Sequence, residues 1–117
     1  MERRKLPRVR VLSALHGYGV EVEAAVNVRD VSLGGFACES HIVFTTGTEH
    51  TFLFTTSDGR ETMVRCQCRH ARSTKMADGS ATCVAGFLFL PDQEANLQVL
   101  IEVYRKLQDR QRGKNDA

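Results

Sequence analysis

Apolar and polar positions change period once along the chain. Val20-Glu21-Val22-Glu23-Ala24-Ala25-Val26-Asn27-Val28 largely alternates the two, the period-two signature of a half-buried strand. His16-Gly17-Tyr18-Gly19 ahead of it reads as a turn, which makes Val9 to Leu15 a first strand. Thr48 to Thr56 sets Phe52 and Phe54 on one face. Ser57-Asp58-Gly59-Arg60 is a hairpin signal, because Asp-Gly tolerates the positive φ of a tight turn. Glu61 to Ala71 follows, with Val64, Cys66, Cys68 and His70 on one face; Lys75 to Gly79 turns again, and Thr82 to Leu90 is apolar almost throughout. After Pro91 the period lengthens. Leu97, Leu100, Ile101, Tyr104 and Leu107 recur at helical spacing behind Asp92 as N-cap and Glu94 in the first turn, and the helix is predicted to fade before Gly113.

Short antiparallel strands closed by one helix predict an all-β-dominated fold, a small antiparallel β-barrel. The 117 residues suit a single domain: a basic arm (1–8), the barrel (9–90), the helix (92–112) and a tail (113–117). A hydrophobic fraction of 42% and a charged fraction of 26% exclude disorder, collagen and a coiled coil. No apolar run reaches the roughly 18–20 residues of a membrane span. The charged N-terminus lacks the apolar stretch of a signal peptide, so the expected compartment is cytoplasmic, with Cys38, Cys66, Cys68 and Cys83 reduced.

A net charge of +2 hides its distribution. Residues 1–10 carry +4 and residues 105–114 carry +4, so the body between and beyond them carries −6. Basic ends meet anions or are solvated, and for tails in general the solvated reading is commoner. In the arm, Arg4 and Arg8 stand four apart, but Pro7 opposes a helix there and favours an extended strap. Each guanidinium is a planar fork that grips a phosphate or the O6/N7 edge of guanine. The second cluster is Asp30-Val31-Ser32-Leu33-Gly34-Gly35. A carboxylate accepts from the N–H groups of a guanine edge, a hydroxyl donates to a phosphate, and the glycines allow a sharp turn or a close approach. The competing reading is an Asx or Ser turn that ends a strand.

Arg4-x-x-x-Arg8 near a strand start, followed by Asp30-x-Ser32-x-x-Gly35, resembles the PilZ domain. Glu2-Arg3-Arg4-Lys5-Leu6-Pro7-Arg8-Val9 is similar to the usual lead-in of that family, and Val84-Ala85-Gly86-Phe87-Leu88-Phe89 to its glycine-containing late strand. The resemblance runs from about Glu2 to Leu90 and implies a barrel that binds cyclic di-GMP. It implies that Arg4 and Arg8 hold guanine edges and phosphates from a flexible arm, and that Asp30, Ser32 and Gly35 receive the ligand on the barrel side. Arg3, just before the first motif arginine, is associated in the family with an intercalated pair of ligand molecules. Gly86 is read as a packing residue.

Other residues carry weaker signals. Cys66-x-Cys68 with Cys38, Cys83 and His70 lacks the paired spacing of a zinc site and reads as core filling, so no metal is expected. His16, His41 and His50 have no partner pattern, and Glu21 and Glu23 read as solvated. Neither a nucleophile–base pair nor a phosphate loop appears, so the expected role is non-enzymatic, with no cofactor beyond the ligand itself. The leading expectation is a cyclic di-GMP receptor that signals to a protein partner in motility, exopolysaccharide or a related output. The rivals are a small nucleic-acid-binding barrel, disfavoured by the absence of Trp, and a PilZ-scaffold adaptor that does not use nucleotide.

Overall fold

In chain order the elements are β1 (Val9–Arg10), β2 (Leu15–Gly19), β3 (Ala24–Val31), β4 (Gly35–Ser40), β5 (Glu49–Thr56), β6 (Glu61–Lys75), β7 (Ala81–Phe89) and α1 (Glu94–Asp116). The structure is a computed structural model that describes the backbone of residues 7–116 and the side chains of residues 7–111. Every strand pair is antiparallel. The sheet runs β1-β3-β2-β5-β6-β7-β4, and β3 also pairs with β4, which closes β2 to β7 into a six-stranded barrel with β1 laid along the end of β3. Closure covers most of the strand edges around the barrel, and the outer end of the β6–β7 hairpin is paired on one side alone.

Several boundaries differ from the sequence pattern. Leu12 takes a left-handed φ of 56°, and the Ala14 N–H donates to the Val11 carbonyl at 3.0 Å, so the expected strand from Val9 to Leu15 breaks into β1 and a tight turn. His16 to Gly19 is strand, not turn. Leu15, Gly17 and Gly19 face inward there, and a Cβ on Gly17 would lie 3.0 Å from methyls of Val26 and Val28. Those glycines make room across the barrel. The turn sits at Val20–Glu23 instead, with Glu23 at φ 52°. Glu21 is not simply solvated: its carboxylate accepts the Thr51 N–H at 2.8 Å, and that bond holds its pKa below the ordinary glutamate value.

The core is built on Phe36 of β4, a strand the alternation did not reveal. Its ring meets Phe52 and Phe54 edge-on, both at 5.0 Å, and stacks on Phe87 at 5.2 Å. Cys38, Cys66, Cys68 and Cys83 fill the same interior as buried, unpaired thiols. Burial, with Cys83 and Cys68 adding to it, pushes the Cys38 thiol up to about 12, so it stays protonated and unreactive at neutral pH. His70 departs from its predicted place beside Cys66 and Cys68. A bulge between Cys68 and His70 turns it onto the outer surface, where its ring covers Gly86; a Cβ there would sit 2.3 Å from Nε2.

α1 closes the core with Leu100, Val103, Tyr104 and Leu107, all buried. Gln93, not Asp92, occupies its N-cap position: Asp92 has φ 67°, while the Gln93 carbonyl accepts the Leu97 N–H at 3.0 Å. The Gln93 amide also bonds both backbone groups of Arg65, which pins the helix start to β6. The helix runs through Gly113 to Asp116, beyond its expected end. One glycine costs only about 1 kcal/mol in a helix already propagating. Among the described residues no helix is long and apolar enough to cross a membrane.

Candidate functional site

β1 places Arg8. Its two residues pair Val9 with Val31 and Arg10 with Asp30, so the chain just before them runs beside the end of β3. β3 carries a bulge between Val28 and Asp30. Val26, Val28 and Val31 therefore point inward, while Arg29 and Asp30 both stay toward the surface. The result is a contact between two sequence-predicted residues far apart in the chain: Arg8 Nη1 donates to Asp30 Oδ1 at 2.6 Å. The Arg8 side chain is 47% exposed and that of Asp30 28%. An exposed pair of this kind contributes at most about 1 kcal/mol, so it opens readily.

Beside the pair lies an open groove of about 530 Å³ lined by Arg10, Leu12, Asn27, Val28, Arg29 and Asp30. Arg10 and Arg29 were not singled out as site residues from the sequence. Arg10 is placed by the β1–β3 register, which no spacing encodes, while Arg29 follows the outward alternation of β3 and the bulge brings Asp30 to the same surface. The groove thus offers two guanidiniums and a carboxylate on an outer wall. Arg3 and Arg4 lie outside the described residues.

Ser32 and Gly35 form the turn between β3 and β4. The Ser32 N–H donates to the Gly35 carbonyl at 2.9 Å. The Ser32 hydroxyl accepts the Gly34 N–H at 3.2 Å and donates to that same Gly35 oxygen at 3.4 Å. Ser32 therefore serves the turn, in line with the Ser-turn reading, and β3 ends before it can share a continuous strand face with Asp30. Its proton is nevertheless spent on an oxygen already satisfied by a shorter bond. Redirecting it to an anion leaves no buried group unpaired. Gly35 is required by a close approach to β7: a Cβ there would lie 2.0 Å from the Phe87 carbonyl oxygen.

The helix grips the base of the arm. Tyr104 donates its hydroxyl proton to the Pro7 carbonyl at 3.2 Å, Gln108 donates to the Tyr104 oxygen at 3.3 Å, and Gln111 donates to the Arg10 carbonyl at 2.9 Å. These clasps bracket Arg8 on both sides. Only the Tyr104 ring was predicted, as part of the apolar stripe; its hydroxyl was not.

Elsewhere the chemistry is thin. Among the described residues no group of three His, Cys, Asp or Glu is placed to hold a metal ion. Phe36, Phe44, Phe52, Phe54 and Phe87 are buried and Phe89 partly so, which leaves the phenylalanines as core rather than as a stacking surface, with Tyr18 exposed on β2.

The sequence model of the PilZ domain matches residues 2–106. The chain belongs to the PilZ domain family. Among solved PilZ-type structures, the PilZ domain with c-di-GMP of YcgR from Escherichia coli superposes with a TM-score of 0.67 at 16% identity, over 98% of each chain. The Bacillus subtilis inhibitor of motility MotI (DgrA) gives 0.68 at 16% identity, over 97% of this chain and 53% of that one. K. pneumonia MrkH in its apo state gives 0.74 at 13% identity, over 97% and 56%. The chain therefore spans nearly all of the first and about half of the other two. No curated protein matches it in sequence. At these identities the shared property is the PilZ barrel itself.

Proposed function

We propose that this PilZ domain is a cyclic di-GMP receptor, non-enzymatic, that closes its N-terminal arm over the outer wall of β3 and passes the signal to a protein partner. The observation that carries the reading is the Arg8–Asp30 pair at the mouth of the arginine-lined groove. The ligand presents two phosphates and two guanines. Arg8, with Arg4 from the arm, supplies forked donors; Asp30 supplies an acceptor for guanine N–H groups; Ser32 supplies a hydroxyl proton. That the YcgR domain was solved with c-di-GMP supports the same ligand class.

Energetics favour closure by this route. Opening the Arg8–Asp30 pair costs at most about 1 kcal/mol, and each new bidentate contact returns roughly 1–3 kcal/mol. Ordering a residue of backbone costs about 1–2 kcal/mol. The clasps at Pro7 and Arg10 hold the base of the arm before ligand arrives, so less remains to be fixed. Arg3 extends the reading to an intercalated ligand pair, two molecules per chain. Calorimetric titration with cyclic di-GMP tests both points. Saturable binding with two ligands, falling toward one in Arg3→Leu, is expected. No binding at micromolar ligand overturns the receptor; unchanged stoichiometry in Arg3→Leu overturns the role of Arg3.

A further inference from the structure

The C-terminal cationic cluster is not used by the ligand site. Beside the Gln111 clasp, α1 and the loops at Ala14 and Ser57 enclose a groove with one compartment of about 120 Å³ and another of about 200 Å³. The compartments share Ala14, Ser57, Leu107 and Arg110, so they are continuous. The floor is formed by Ala14 with only the edges of the buried Val103 and Leu107, and the exposed apolar surface comes from Leu12. The rim of the first compartment holds three cations, Arg60, Lys106 and Arg110, against one carboxylate, Asp58. Asp58 and Glu102 both pair with Arg60, and Glu102 also faces Lys106, so the exposed Arg110 carries most of the positive excess with Lys106 beside it.

Leu12 stands at the lip of the second compartment. It is 75% exposed and holds a φ of 56°, a conformation that costs a non-glycine residue about 1–2 kcal/mol. Its side chain also lines the groove beside Asp30. An exposed leucine in a strained turn thus separates the two grooves.

We propose that the α1 groove docks an acidic segment of a partner protein, which inserts an apolar side chain over Leu107 and Leu12 and sets its carboxylates on Lys106 and Arg110. The exposed Leu12 beside Ala14 selects a peptide over a nucleic acid, because phosphates gain nothing from an apolar side chain, whereas an apolar anchor ringed by charge is how peptide docking concentrates its energy. The identification of this partner as the downstream one rests on the proposed receptor role; the surface itself does not.

The test therefore omits nucleotide. A short peptide of Asp and Glu around a central Leu is titrated into the isotope-labelled full chain and followed by amide chemical shifts. Shifts centred on Ser57, Val103, Leu107 and Arg110 are expected. The exposed-site double variant Lys106→Glu/Arg110→Glu should weaken binding about tenfold or more, and Leu12→Ser several-fold. A parallel titration with cyclic di-GMP, unaffected by the charge reversal, reports separately on the ligand site. No saturable peptide binding, shifts confined to the barrel wall, or wild-type affinity in either variant overturns the proposal. Tighter binding of a single-stranded oligonucleotide at the same residues, or self-association that the charge reversal abolishes, also overturns it and assigns the groove to nucleic acid or to a second copy.

Discussion

At Asp30 a carboxylate on the barrel's outer surface holds Arg8 through one half-exposed ion pair. Further along the same hairpin, Gly35 lies so close to β7 that a Cβ would come within 2.0 Å of the Phe87 oxygen. Both belong to one short motif, yet one end is exchangeable and the other is fixed by packing. A carboxylate at the surface can trade partners at little cost because water and ligand both satisfy it. A glycine wedged against a neighbouring backbone can trade nothing. On the proposed receptor reading, the motif therefore combines a recognition group with the turn that aims it, and its residues need not all touch ligand.

Gly35→Ala should break this comparison first if it is wrong. Overpacking against a backbone oxygen is expected to cost about 3 kcal/mol, read as a large fall in the urea midpoint or failure to fold. An unchanged midpoint with lost ligand binding would move Gly35 to the recognition side. Asp30→Ala is the mirror experiment. Stability should stay within about 1 kcal/mol of wild type, while calorimetric affinity for cyclic di-GMP falls about 100-fold. Intact or improved affinity would remove Asp30 from the site.

The barrel was legible because period-two alternation, the Asp-Gly hairpin and the switch to helical spacing after Pro91 report burial directly. What escaped had a local physical cause in each case. Gly17 and Gly19 look like turn residues, but their missing side chains relieve crowding against Val22, Val26 and Val28, a contact no local pattern encodes. The bulge between Val28 and Asp30 keeps Asp30 at the surface beside Arg29, the bulge between Cys68 and His70 expels His70 from the core, and Arg10 reaches the groove through the β1–β3 register, none of which a local pattern encodes. Arg8 and Asp30 were legible as residue types; that they meet at 2.6 Å depends on β1–β3 register.

Ser32→Ala probes the middle of the motif. Loss of the hydroxyl leaves the Gly34 N–H without its side-chain acceptor, which should cost about 1 kcal/mol and lower the melting temperature by a few degrees. Ligand affinity should fall only several-fold. A drop as deep as that of Asp30→Ala, with no loss of stability, would make Ser32 a ligand group before a turn group.

Tyr104→Phe has the smallest expected effect and tests how the exchangeable side is held in place. The phenylalanine keeps the ring buried against the core but withdraws the proton donated to the Pro7 carbonyl, one residue before Arg8. One such bond is worth about 1 kcal/mol, so cyclic di-GMP affinity should fall about fivefold. A general loosening of the helix would lower affinity in any background. Positioning of Arg8 would not: in an Arg8→Ala chain there is no guanidinium left to aim, and the Tyr104→Phe loss should vanish. Calorimetry on the two single variants and the double variant closes the cycle. A coupling energy near zero would mean that the helix stabilises the barrel without steering the arm; one equal in size to the Tyr104→Phe loss makes Tyr104 the helix residue that positions Arg8, on the element that also walls the cationic groove.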